Sequence, residues 1–97
     1  MHIGVCMLKF RLPENGSLKG KRQVLKSIIE RVKNRYNVSI AEVDDHDSWK
    51  LMSLGITCVS NSAPHANEVL SKVVNFIQNS KFDVEMLDYE IEIIHAF

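Results

Sequence analysis

Between Gly16 and Tyr36 the chain repeats apolar side chains at intervals of three and four: Leu18, Val24, Leu25, Ile28, Ile29, Val32 and Tyr36. That spacing gathers them on one face of a helix of about five turns. The other faces carry Lys19, Lys21, Arg22, Lys26, Arg31, Lys33 and Arg35 against a single acid, Glu30. A helix divided in this way cannot stand alone. Its apolar stripe must be buried against another layer, and the flanking segments decide which layer.

Those segments alternate with a period of two. Residues 2–12 place Gly4, Cys6, Leu8, Phe10 and Leu12 on one face and Ile3, Val5, Met7, Lys9 and Arg11 on the other. Both faces are apolar at the start, as in a central strand. Pro13 to Gly16 is turn chemistry, and Ser17 stands at the N-cap position of the helix. Gly20 occupies the place where Glu would complete a capping box. Val38 to Asp44 alternates as a second strand. An acidic loop, Asp44-Asp45-His46-Asp47-Ser48, leads through Trp49 into a third strand over residues 50–60. Its Met52, Leu54, Ile56 and Cys58 share one face, and Ser53, Gly55 and Thr57 the other. Ser62 and Pro64 open a second helix, whose stripe is Ala66, Val69, Leu70, Val73, Val74 and Ile77. Residues 86–95 close as a strand in which Tyr89, Ile91 and Ile93 alternate with Asp88, Glu90 and Glu92. Phe82, Val84 and Met86 are out of phase with that pattern, which predicts a bulge near Met86.

The order β-α-β-β-α-β predicts one α+β domain over residues 1–97. Two right-handed βαβ units joined by a hairpin give the ferredoxin-like layout, a four-stranded antiparallel sheet with two helices on one face. The expected core is Cys6, Leu8, Phe10, Leu25, Ile28, Ile29, Val32, Val38, Ile40, Met52, Leu54, Ile56, Val69, Leu70, Val73, Ile77, Tyr89, Ile91 and Ile93.

Net charge is zero, but its distribution is not even. Residues 1–36 hold nine Lys/Arg against two acids, a surplus of seven, and residues 37–97 carry the opposite surplus. Such asymmetry points to an anionic partner or to pairing between the halves. No apolar run approaches the roughly 20 residues of a membrane span. The first residues lack a basic leader, and two cysteines do not make a secreted disulfide framework, so a cytoplasmic setting is expected.

Three segments carry a resemblance: Leu12-Pro13 with Ser17-Leu18-Lys19-Gly20-Lys21-Arg22; Tyr36-Asn37-Val38-Ser39-Ile40-Ala41-Glu42-Val43; and Asp47, Trp49 and Leu54-Gly55. Together they resemble the YlxP-like family of small bacterial proteins, whose biochemical function is unassigned. The resemblance covers nearly the whole chain. It implies the same ferredoxin-like fold and genes kept beside translation and ribosome-maturation factors. It supplies no catalytic residues. Gly20 departs from the Glu usual in the family, which leaves this helix start more basic.

The candidate chemistry follows from the charge map. Lys9, Arg11, Lys19, Lys21, Arg22 and Lys26 surround a helix N-terminus, where free N–H groups and the dipole favour anions. Lys9 and Arg11 are expected near the helix start, with Asp88, Glu90 or Glu92 facing them across the sheet. Lys19, Lys21 and Arg22 would then contact phosphate and read little sequence. The segment from Gly16 to Arg22 is not a P-loop: only three residues separate its glycines, and Arg22 stands where a hydroxyl should meet Mg²⁺. The sheet face opposite the helices has no aromatic residue for base stacking. Its apolar and small residues, Ile3, Val5, Met7, Ser53, Gly55 and Thr57, predict instead a homodimer interface.

Weaker features are read as structural. The Asp44–Asp47 loop lacks the Gly and the distant ligands of a calcium site, and no metal is expected. Trp49 is expected to anchor that loop. His2, His65 and His95, scattered along the chain, read as surface groups. Cys6 and Cys58 read as buried thiols with no CxxC or adjacent base. An acylphosphatase-type enzyme of the same topology would need an Arg between Pro13 and Ser17, and none is there. The expectation is a non-enzymatic RNA- or ribosome-associated module without cofactors. The alternative is a homodimeric protein-interaction module.

Overall fold

The computed structural model describes all residues, 1–97. The elements are β1 (His2–Arg11), α1 (Leu18–Arg35), β2 (Ser39–Asp44), β3 (Leu51–Ser60), α2 (Ala63–Asn79) and β4 (Glu85–His95). The four strands form one antiparallel sheet in the order β2-β3-β1-β4. With both helices packed on the Cys6/Leu8/Phe10 side, this is the ferredoxin-like α+β arrangement. No helix is long and apolar enough to cross a membrane.

Local chemistry sets the helix ends. Ser17 caps α1 by accepting the Gly20 N–H at 3.0 Å, and Ser62 caps α2 by accepting from His65 N at 3.4 Å. Pro64 lies in the first turn of α2, where a missing N–H leaves no bond unmade. Gly20 has a second role. The side chain of Asn15 occupies the space that a Cβ at position 20 would need. From there Asn15 Nδ2 donates to Ser17 O at 2.7 Å and to Trp49 O at 2.6 Å. The bare helix start thus admits a side chain that ties the turn after β1 to the loop before β3.

The core is a single cluster between helices and sheet. Leu8, Phe10, Leu12, Met52 and Leu54 from the sheet side meet Ile28 and Val32 of α1 and Ala66, Leu70, Val73 and Val74 of α2. Each large aliphatic side chain buried there contributes about 1.5–3 kcal/mol relative to exposure. Leu12, Cys58, Ala66 and Val74 join the core beyond the expected set, while Tyr89 leaves it, remaining 48% exposed. Tyr89 faces the helix side opposite Leu8, but it lies on an edge strand, beyond the width that two helices cover. Two bulges trim the sheet. Between Lys9↔Asp88 and Phe10↔Met86 the register skips Leu87, beside the position where the phase change predicts it. Between Glu42↔Leu54 and Asp44↔Ser53 it skips Val43.

Lys21 is where the sequence expectation fails most clearly. It is buried, with 2% of its surface exposed, one turn into α1. Its Nζ donates to Asp45 O at 2.5 Å and to Ser48 O at 2.6 Å. Glu42 Oε2 lies 2.9 Å away as counter-charge, off the line of a hydrogen bond. A buried ammonium without such partners would carry a desolvation penalty of several kcal/mol. Here the acidic loop wraps the ammonium with carbonyls, and Asp45 adopts a left-handed φ of 63° to bring its own into place. Replacing Lys21 by Met should therefore lower unfolding free energy by about 3 kcal/mol in urea, and Lys19→Met by less than about 0.5 kcal/mol. Equal, small effects at both positions would show that the Lys21 contacts carry no stability.

Candidate functional site

The basic residues expected to act together lie in three places. Lys9 and Arg11 alternate with the buried Leu8, Phe10 and Leu12, so they leave the sheet on the face away from α1. The short turn between β1 and α1 does not bring them onto the helix surface, because the strand's alternation sends them the other way. Arg11 meets Glu85 through both Nε and Nη2, and Lys9 stands opposite Asp88 in the register. Only Arg11 makes an ion pair across the ladder, and with Glu85 rather than Asp88, Glu90 or Glu92; Lys9 has no carboxylate within 4 Å. Lys21 is the buried group described above and cannot reach a ligand phosphate. Lys19, Arg22 and Lys26 remain, exposed on α1.

The exposed face of α1 has few counter-ions. Lys26 lies 3.9 Å from Glu30, with both side chains well exposed. Such a pair contributes little. Lys19, Arg22 and Lys33 have no carboxylate within 4 Å. Arg31 and Arg35 are used internally. The Arg31 guanidinium lies 4.8 Å from the ring centroid of Phe82 and 5.6 Å from that of Phe76, and Arg35 lies 5.1 Å from Phe76. Their charge stays near the surface while their planes pack α1 against α2 and the approach to β4. Lys19, Arg22 and Lys26 thus form a ridge along the first half of the helix.

The other candidate surface is the open face of the sheet. Register sets its side chains in cross-strand rows. Val59, Ile3 and Ile94 make the first, followed by Ser39, Thr57, Val5 and Glu92, then Ala41, Gly55, Met7 and Glu90. Beyond them the face turns polar at Ser53, Lys9 and Asp88. Of the six residues expected to form a dimer interface, Met7 is exposed and Ile3, Val5, Gly55 and Thr57 are partly covered. Ser53 cannot belong to an interface. It is 1% exposed and donates from Oγ to Asp45 Oδ2 at 2.7 Å. The alternation Ser39, Ala41, Val43 already places Val43 on this face, and the bulge turns it toward Gly55. Sequence reasoning missed Val59 and Ile94. Val59 and Ile94 follow from extending the alternation to the ends of β3 and β4.

Trp49 does not anchor its loop through the indole, which is 49% exposed; its backbone carbonyl does so by accepting from Asn15. No group of three or more His, Cys, Asp or Glu side chains is arranged to hold a metal ion. Cys6 and Cys58 are free, buried thiols. Burial pushes the Cys6 thiol up to about 11. Burial also raises Cys58, partly offset by a hydrogen bond with the backbone of Gly4.

The family model described as "Protein of unknown function (DUF503)" matches residues 3–91. The chain belongs to this family. It is 42% identical over 77 residues to the uncharacterized protein YlxP of Bacillus subtilis (strain 168), covering 79% of this chain and 84% of that protein. Among solved structures, the de novo designed protein Foldit4 superposes with a TM-score of 0.54 at 14% identity, with both chains fully covered. That likeness concerns the fold alone. A designed protein reaches the same topology, as expected if the βαββαβ pattern is enough to specify it.

The thiols offer a direct check on their structural reading. Because the thiolate is the reactive form, raised pKa values and burial should leave both cysteines nearly unlabelled by a disulfide reagent at pH 8. Both should react at once in denaturant. Stoichiometric labelling of the folded chain within seconds would contradict their placement.

Proposed function

We propose that this domain is a non-enzymatic RNA- or ribosome-associated module that holds phosphate along the exposed ridge of α1. The observation that supports this reading best is the set of cations left without partners. Lys19 and Arg22 have no carboxylate within 4 Å, and Lys26 has only a long, solvated contact with Glu30. The chain as a whole has as many acids as bases, so leaving these cations unmatched is not forced by composition. Lys19 lies in the first turn of α1, where the helix dipole adds to the attraction for anions, and Arg22 and Lys26 continue the same face along the helix.

The working set is therefore Lys19, Arg22 and Lys26, without Lys21, Lys9 and Arg11. These side chains are long, flexible and not braced by hydrogen bonds, which suits contact with a phosphate backbone and not with base edges. Binding should be weakly sequence-specific and salt-sensitive. Three phosphate contacts on single-stranded RNA correspond to a slope of log K against log salt of roughly −2. The absence of aromatic side chains from the open sheet face also argues against base stacking there.

The test is cosedimentation with ribosomal particles and binding to a single-stranded homopolymer RNA. Changing Lys19, Arg22 and Lys26 together to Glu should lower both at least tenfold, with the thermal unfolding temperature unchanged. Retention of both at the unmodified level, in a folded triple variant, would mean that the ridge is only a solvated surface. Lys21 must be left in place in this experiment. Placing Glu there would bury a like charge beside Glu42 and unfold the domain.

A further inference from the structure

The open face of the sheet contains a trough of about 510 Å³, running along β1 and β3 between the two edge strands. Its floor is small or apolar, with Val5, Met7, Thr57 and Gly55 at the centre. One wall is Val43, turned inward by its bulge so far that a Cβ on Gly55 would lie 2.8 Å from its Cγ1. The other wall is formed by Glu90 and Glu92 of β4. These two carboxylates face Met7 and Val5 across the ladder, and neither has a cation within 4 Å. The trough is therefore apolar underneath and acidic along one side.

That charge distribution discriminates between occupants. A second copy packed face to face about a two-fold axis along the strands would set Glu90 and Glu92 over the partner's β2, at Ala41 and Ser39, which offer no positive charge. A two-fold axis across the strands would set β4 over β4, acid upon acid. Neither arrangement gives the carboxylates a counter-charge, so the face does not complement itself. The dimensions fit a helix. Four strands at about 4.8 Å spacing leave about 14 Å between the edge strands, and a helix with its side chains is about 10–12 Å across. A helix laid there would complete a layered sandwich, as α1 and α2 do on the other face.

The geometry points to the trough as the docking site for a basic amphipathic helix of a protein partner. The apolar side of that helix rests on Val5, Met7 and Thr57, and its Lys or Arg side chains meet Glu90 and Glu92. This surface lies on the opposite side of the sheet from the α1 ridge, so occupation of one leaves the other free.

The probe is a fluorescein-labelled 18-residue helical peptide of Leu, Ala and Lys, with one apolar face flanked by Lys. Its control has Glu at every Lys position. Anisotropy titration of the full chain should show the Lys peptide binding about tenfold tighter than the Glu peptide, since two attractive pairs become repulsive. The double variant Glu90→Lys/Glu92→Lys, both surface positions, should reverse that order. Val5→Asp should weaken both peptides, and amide shifts should map to the open face of β1 and β3. Three results would overturn the proposal. One is equal affinity for both peptides, and another is a preference that the double variant leaves unchanged. The third is sedimentation of the unmodified chain as a dimer that Val5→Asp dissociates, which would give the face to a second copy. None of these readouts depends on RNA binding by α1.

Discussion

A single buried ammonium joins the two ends of this fold that have least in common. Lys21 belongs to the basic first third of the chain, and the groups that receive it, Glu42, Asp45 and Ser48, belong to the acidic remainder. The hydrophobic cluster would hold α1 on the sheet without it. What the cluster cannot do is fix how the helix start meets the β2–β3 loop, because that end has few apolar side chains. Two carbonyls and a carboxylate aimed at one point do so, and Asn15 adds a second tie through Ser17 O and Trp49 O. Part of the charge asymmetry is thereby consumed inside the molecule.

The remainder is distributed by sheet geometry. Alternation along β1 sends Lys9 and Arg11 to the open face, where β4 supplies acids opposite them. Arg31 and Arg35 turn to the rings of Phe76 and Phe82. The exposed start of α1 keeps its cations, and the middle of β4 keeps Glu90 and Glu92. A neutral chain thus presents a positive ridge on one side and a negative wall on the other. The two surfaces carry opposite charge, and the sheet between them holds them in fixed relation.

Much of this fold was legible in the sequence. The periodicities of three to four and of two fix the element order, both serine caps follow from position, and the phase change at Met86 marks the bulge at Leu87. The chain also shows where such reading stops. Lys21 lies between Lys19 and Arg22 in a run of similar residues, and nothing local distinguishes the buried one. Helical geometry offers a partial signal, since position 21 lies one turn before Leu25 and two before Ile28, beside the apolar stripe. Its partners are more than twenty residues away and come into view only with the β2–β3 loop in place. Ser53 was misjudged for the same reason: alternation puts it on the open face, and Asp45 then covers it. Tyr89 fails in the other direction, on the correct face but at an edge that the helices do not reach.

The division of labour among the lysines can be read from their ammonium groups by nitrogen-15 NMR. In the folded chain the Lys21 NH₃⁺ should give a separate signal, slow to exchange with water, while Lys19 and Lys26 exchange fast. Addition of single-stranded RNA should shift Lys19 and Lys26 and leave Lys21 where it was. A Lys21 signal that exchanges as freely as its neighbours, or that moves with them on adding RNA, would contradict the account of a buried tie beside a working ridge.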